Sequence, residues 1–419
     1  MVKHGAYSMT PWYAKPQLFR SLTERDWGIL WVAGHLWHFA FWVDLLVLGW
    51  LVLNISDSPL KVGLVGAARL APMGVLGVFF GSLGDRFPKR RILLAAQMVN
   101  TVATMCLAAV LLAGAEALWH IYFVAIITGC AWAADYPNRR ALIRELVPDR
   151  LMLNAMSLDI VSLSGMNVLG RLAAGGMLVL VGPSGIYVVL SVAYVVGLFL
   201  LGRVKNIRRE RSFVQNTQRI TLKGLGEAIR YAISLPALRG VLILTVIVNF
   251  LVFPYMQMAP VFARDVLDVG PGLLGLMTSV EGLGMMIGAM LLATIGKLNR
   301  IGLVFIIGAM FATLSVVCFS LSNMYLVSLT MALLAGIGMS GFATMQNVIP
   351  ITEARPEMRA TALGVVTLAI GAHPLGMVYG GVLAGSVSAP TAVLVNSVVG
   401  VALVILVWMF QPGLRKYNV

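Results

Sequence analysis

The sequence predicts an all-α membrane protein of twelve transmembrane helices in two repeated halves, and three observations carry that reading. Of 419 residues, 59% are hydrophobic and 11% charged, with a mean hydropathy of +0.89. Soluble domains carry about 25% charged residues. The basic residues fall almost entirely in short loops on one side of the proposed membrane. Finally, features that open the second apolar run recur at the eighth.

At about 20 residues per span, the apolar runs give helices near 27–53, 58–83, 92–114, 118–138, 153–181 and 185–203. The second set falls near 237–260, 268–295, 301–321, 324–349, 358–384 and 389–410. The first run follows a polar, basic stretch and is too long for a signal-peptide core, so it is expected to be an uncleaved first span. The second carries only Lys61 and Arg69 as charges, and the third carries none beyond its basic entry. Between them lies Gly81-Ser82-Leu83-Gly84-Asp85-Arg86-Phe87-Pro88-Lys89-Arg90-Arg91. Such a loop is retained in the cytoplasm because Lys and Arg resist translocation.

The remaining loops extend this asymmetry. Arg139, Arg140, Arg144, Arg150, Arg203, Lys205, Lys297, Arg300, Arg355, Arg359, Arg415 and Lys416 fall on the same side, and only Lys61 and Arg264 on the other. Both termini are expected to be cytoplasmic, in a bacterial inner membrane. The net charge of +14 is thereby explained by topology, and no nucleic-acid partner is expected.

The composition breaks once, from Val204 to Pro236. The expected organisation is a six-helix bundle over 1–203, a cytoplasmic linker over 204–236 and a second bundle over 237–419. Within the linker, Leu222, Leu225, Ile229 and Ile233 have helical spacing and predict a helix along the membrane surface. Pro59-Leu60-Lys61-Val62-Gly63-Leu64 opens helix 2 as Pro271-Gly272-Leu273-Leu274-Gly275-Leu276 opens helix 8. Gly165, Gly170 and Gly175 recur as Gly371, Gly376 and Gly381, small residues expected to let helices 5 and 11 pack closely. Cys106, Cys130 and Cys318 lie inside apolar runs without paired spacing. No disulfide, metal site or cofactor is expected.

The loop Gly81, Asp85, Arg86, Lys89 and Arg90 resembles the helix 2–3 loop of the major facilitator superfamily, G-x-x-x-D-R-x-G-R-[RK], with Pro88 at the usual glycine. Trp50-Leu51-Val52-Leu53 with Ser58-Pro59, Pro137-Asn138-Arg139-Arg140-Ala141-Leu142 with Asn154-Ala155, and Pro260 to Leu267 resemble the group containing enterobactin and macrolide efflux exporters. This likeness implies the major facilitator fold, two pseudo-symmetric six-helix bundles with a substrate site at their interface near mid-membrane. It also implies a cytoplasmic gate at Gly81, Asp85, Arg86, Lys89 and Arg90. Two departures stand out. The helix 5 pattern G-P-x-x-G-G reads Gly170-Arg171-Leu172-Ala173-Ala174-Gly175, and helix 4 lacks the mid-membrane arginine of many proton-driven exporters.

Charges at membrane depth are costly and mark function by default. Counting 1.5 Å per residue, Asp44, Arg69 and Arg171 fall roughly 14, 17 and 15 Å from the outer ends of helices 1, 2 and 5, near the middle of a core about 30 Å thick. They either pair as a static ion pair or leave a positive cavity. Glu281, about 20 Å into helix 8, falls opposite Arg69 by the repeat offset and has no basic residue at its depth in its own half. It is the expected proton carrier, with Asp44 the other candidate. Asp135 and Asp159 lie nearer the cytoplasm, where Asp135 and Arg139 are expected to join the gate. Asn249, Tyr255, Gln257, Gln346 and His373 are the expected polar groups of the substrate cavity, with Asp44, Arg69, Arg171 and Glu281.

These features predict a proton-linked secondary transporter that exports small amphipathic compounds, such as drugs or siderophore-like metabolites, as a monomer among membrane lipids. The alternatives are an importer or lysolipid/lipid flippase on the same fold, and a non-transporting scaffold or receptor. No nucleophile–base or metal-ligand cluster points to an enzyme.

Overall fold

The computed structural model describes residues 19–205, 222–295 and 300–418. Among the described residues it is all-α, with twelve helices long and apolar enough to cross a membrane. Spans 1 to 6 are Arg25–Ser56, Pro59–Arg86, Lys89–Leu112, Leu118–Leu146, Asp149–Leu180 and Gly182–Arg203. A helix over Leu222–Ser234 follows. Spans 7 to 12 are Pro236–Val266, Pro271–Thr294, Ile301–Ser320, Tyr325–Glu353, Pro356–Ser386 and Ala389–Phe410. The linker arginines Arg208, Arg209 and Arg211, and Lys297, lie outside the described residues.

Local chemistry sets the ends. Proline occupies the first turn of spans 2, 7, 8 and 12, where a missing N–H leaves no bond unmade. Ser58 and Ser388 cap spans 2 and 12 by accepting from the amides of Lys61 and Thr391. At span 7 the cap comes from elsewhere: the Glu353 carboxylate, ending span 10, accepts from the amides of Ala237 (2.9 Å) and Leu238 (2.5 Å).

Two spans are irregular. Span 7 passes from α-helix to a π turn at Val248–Val252 and a 3-10 turn at Phe253–Met258, where Pro254 and Pro260 withhold backbone donors. Span 11 breaks at Gly371 between segments ending at Ile370 and starting at Ala372. Pro374 deprives the Ile370 carbonyl of its i+4 donor there.

The packing repeats. Span 2 lies on span 4 and span 3 on spans 4 and 6, as span 8 lies on span 10 and span 9 on spans 10 and 12. Between the two sets, span 5 meets span 8 and span 2 meets span 11. One end of the molecule, carrying Lys89, Arg90, Arg300 and Arg359, is the basic face; the opposite end, with Lys61 and Arg264, is the far face. The sets meet most tightly near the far face. A Cβ on Gly175 would lie 2.6 Å from the Pro271 carbonyl oxygen and 2.7 Å from the Gly275 Cα, and one on Gly381 would lie 3.2 Å from the Leu60 Cα. Toward the basic face spans 5 and 8 diverge: Leu153 and Ile160, on the Arg171 side of span 5, are 82% and 55% exposed. Gly170 packs on Trp42 and Gly376 on the Phe250 carbonyl. The glycine stripes therefore serve close packing at Gly170, Gly175, Gly376 and Gly381, whereas Gly165 faces open space and Gly371 marks a helix break.

At the basic face residues 412–417 are tucked inward. Leu414 is fully buried and sits where a side chain on Gly240 or Gly302 would be. The Gly302 amide donates to the Tyr417 carbonyl at 3.4 Å, and the Tyr417 and Thr352 hydroxyls are 3.2 Å apart.

Candidate functional site

Two buried carboxylates are each held by one arginine and one tyrosine. Asp44 on span 1 accepts from Arg69 Nε on span 2 at 3.0 Å and from the Tyr187 hydroxyl on span 6 at 3.0 Å. Glu281 on span 8 accepts from Arg171 Nη1 on span 5 at 3.1 Å and from the Tyr255 hydroxyl on span 7 at 2.9 Å. The arrangements differ in ownership. The Asp44 group lies wholly within the first six spans, with Arg69 1% exposed. In the Glu281 group the guanidinium comes from the first six spans and the carboxylate and phenol from the last six. It is a bridge between the two sets.

Span 1 links the two groups through adjacent aromatics. Arg69 lies over the Phe41 ring at 4.6 Å and Arg171 over the Trp42 ring at 4.8 Å. The rings meet edge to face with centroids 5.1 Å apart. Arg171 Nη1 also donates to the Thr278 carbonyl at 3.2 Å.

The structure corrects the expected surroundings of Glu281. Arg69 is not opposite it, being bound to Asp44. The missing cation of its own half is supplied across the interface by Arg171. Consequently Asp44, Arg69 and Arg171 do not form one cluster. Asp44 and Arg69 are buried inside the first six spans and do not line a cavity between the sets.

The other expected cavity groups also disperse. Gln257 Nε2 donates to the Val62 carbonyl at 3.1 Å and fills the space above Gly66, so it belongs to the far-face closure. Asn249 turns back on the Thr245 carbonyl, and Gln346 donates to the Thr245 hydroxyl at 2.9 Å. Both are packing contacts within the last six spans. His373 stacks on Phe253 with centroids 5.9 Å apart, and its Nε2 is buried without a hydrogen-bond partner.

The expected gate residues pair within the first six spans. Arg139 grips Asp135 through Nε (2.7 Å) and Nη2 (2.9 Å). Both are buried, one helical turn apart on span 4, so in this conformation the pair lies inside the bundle of the first six spans. Arg140 approaches Asp159 at 3.8 Å and Lys89 meets Glu145 at 2.5 Å. Arg90 caps span 6 by donating to the carbonyls of Leu201 and Gly202. Arg86 is exposed. Gly81 and Asp85 lie in the helix of span 2, but their surroundings are outside the described residues.

Sequence reasoning missed Tyr187, Trp42 and Asn167. Asn167, one turn from Arg171 on span 5, faces Gly282, whose Cβ position is 3.6 Å from its amide carbon and nitrogen. Its Oδ1 and the Trp42 Nε1 are both buried without hydrogen-bond partners. The i, i+4 spacing of Asn167 and Arg171 was the signal available. Nothing local distinguished Tyr187 from Tyr194 or Trp42 from its aromatic neighbours. Among the described residues, no three His, Cys, Asp or Glu side chains gather to hold a metal ion.

A family model described as transmembrane secretion effector matches residues 18–417. An uncharacterized MFS-type transporter of Bacillus subtilis (strain 168), YfiS, is 22% identical over 252 residues, 59% of this chain and 59% of that relative. The match thus spans less than two thirds of the relative's length. Among solved structures, a peptide transporter of the POT type superposes with a TM-score of 0.77 at 13% identity, over 97% of this chain and 100% of that one. A bacterial homologue of the human lysosomal transporter Spinster, in an inward-facing and unoccupied conformation, gives 0.68 at 14% identity, over 93% and 96%. At these identities the likeness shows the fold.

Proposed function

Because the chain belongs to the transmembrane secretion effector family of the major facilitator superfamily, we propose that this transporter exports small amphipathic compounds in exchange for protons, with Glu281 as the proton carrier. The basic face is the cytoplasmic side of a bacterial inner membrane, as the retention of Lys and Arg requires. The conformation, closed at the far face, is then inward-facing. Residues 1–203 and 237–419 move as the two units of alternating access, joined by 204–236.

The observation that carries this reading is the Arg171–Glu281 bridge between the units. Both charges are neutralised by each other inside the membrane, so each has to find a new partner whenever the bridge opens. A substrate head with a hydrogen-bond donor takes Glu281 from Arg171 in the inward-facing state. After reorientation, a proton from outside replaces that donor and substrate leaves. Protonated Glu281 carries no charge and Arg171 rests on the Trp42 ring of its own unit, so the empty carrier returns without a buried anion and releases its proton to the cytoplasm. Proton and substrate compete for one carboxylate, and competition for one site yields exchange.

The same bridge supports one alternative. An anionic substrate takes Arg171 only after protonation of Glu281 frees it, so substrate and proton travel together and the protein imports. Proteoliposomes with an imposed pH gradient and a panel of amphiphiles separate the two: exchange and co-transport accumulate substrate on opposite sides, and movement indifferent to the gradient indicates a lipid flippase. We expect Glu281→Gln to abolish gradient-driven accumulation while permitting substrate exchange. Accumulation against a gradient by that variant refutes the assignment.

A further inference from the structure

Around the bridge there is one spare acceptor and one spare donor. Asn167 Oδ1 and Trp42 Nε1 are buried without hydrogen-bond partners, and a buried polar atom left unmade costs about 1–3 kcal/mol. Among the described residues Arg171 spends only Nη1, on Glu281 and Thr278, and its side chain keeps 13% exposure.

The placement of these atoms has a direction. Span 5 runs from the basic face to the far face, so Asn167 lies about 6 Å nearer the basic face than Arg171, at 1.5 Å per residue. Beyond it on the same face of span 5, Ile160 and Leu153 are 55% and 82% exposed, whereas Gly175 is in contact with span 8. Asn167 therefore stands where the gap between spans 5 and 8 closes, on the approach to the bridge from the basic face.

We propose that Asn167 and Trp42 are substrate-contacting residues that select a neutral head group carrying both an N–H or O–H donor and an acceptor oxygen, as in an amide, hydroxamate or carbinol. The head donates to Asn167 Oδ1 on its way to Glu281 and accepts from Trp42 Nε1 and Arg171. Neutrality follows from charge: one guanidinium and one carboxylate leave the site without net charge, so an ionic head brings an unpaired charge into a poorly solvated place. Specificity follows from the spare acceptor, because a site with an unpaired polar atom rejects an analogue lacking its partner far better than it rejects a missing methylene. This inference rests on the bridge being the substrate site.

The test uses purified protein in lipid nanodiscs and equilibrium dialysis of radiolabelled octanamide and N,N-dimethyloctanamide, with empty nanodiscs subtracting partition into lipid. The probes share tail and carbonyl and differ in the N–H. Wild type is expected to favour octanamide about five- to tenfold, the worth of one hydrogen bond. Asn167→Leu should bring the ratio to about one while retaining the dimethyl probe. Asn167→Ser, smaller and still an acceptor, should keep part of the preference and guards against misfolding of the leucine variant. A preference unchanged in Asn167→Leu overturns the role of Asn167, and octanoate or octyltrimethylammonium binding more tightly than octanamide overturns the neutral head. If Arg171→Ala binds both amides as wild type does, or wild type binds neither above empty nanodiscs, the bridge is not the substrate site and the proposal falls with it.

Discussion

Replacing Gly175 by valine places a side chain at a tight contact between spans 5 and 8. The new Cβ would sit 2.6 Å from the Pro271 carbonyl oxygen and 2.7 Å from the Gly275 Cα. Both obstacles are backbone, so no rotamer change relieves them. Overpacking of this kind costs about 1–3 kcal/mol, and here the cost falls only on the state in which spans 5 and 8 touch at the far face. The ratio of far-closed to far-open molecules should therefore drop by about 5- to 150-fold. Double electron–electron resonance reads it directly. Spin labels at Glu116→Cys and Asn323→Cys, in exposed far-face loops of opposite units, with Cys106, Cys130 and Cys318 changed to serine, should show a longer distance becoming dominant. Gly165→Val is the control, since its Cβ meets nothing within 4 Å, and should leave the distribution unchanged. An unaltered distribution in a folded Gly175→Val protein refutes the contact as the far-face closure.

Other expectations follow from the ion pairs and the topology. Asp44→Asn leaves the Arg69 guanidinium buried without its counter-ion, which should remove about 3–5 kcal/mol of stability; an unchanged thermal midpoint of the purified protein would refute the pair's structural role. If Asp85 belongs to the cytoplasmic gate that the helix 2–3 loop implies, Asp85→Asn should greatly reduce transport at normal expression, and wild-type turnover would dismiss that residue as a gate. Asp268→Cys should react with an impermeant maleimide added outside intact cells, and labelling only after the inner side is exposed would invert the topology.

The spans were legible because hydropathy and charge act over twenty residues at a time and tolerate local irregularity. Span 4 was expected to stop near 138 yet runs to Leu146. Arg139 does not end it, because its charge is neutralised one turn back by Asp135. The depth of the buried charges was also readable from residue counts along each helix. Their partners were not. Pairing depends on how each helix is rotated about its axis and which unit it leans on, and Asp44, Arg69, Arg171 and Glu281 at comparable depth admit several pairings. Two long tyrosines decide the outcome by filling the second lobe of each carboxylate, and their reach across a bundle leaves no trace in sequence spacing. Gln257 was misplaced for a related reason: the 3-10 turn around it changes the angular register that regular helical spacing assumes.

The tucked segment after span 12 has a mechanical meaning. Pro412–Arg415 leaves span 12, lays Leu414 against Gly240 of span 7 and Gly302 of span 9, and reaches Thr352 of span 10 through Tyr417. Four helices of one unit are thus fastened to each other at the face where the units stand apart. A lever that pivots near its middle bends most easily at its free end, and this end would otherwise rely on side-chain packing alone. With the fastening in place, a small displacement at the Arg171–Glu281 level turns the whole unit and is not absorbed as splaying of its helices.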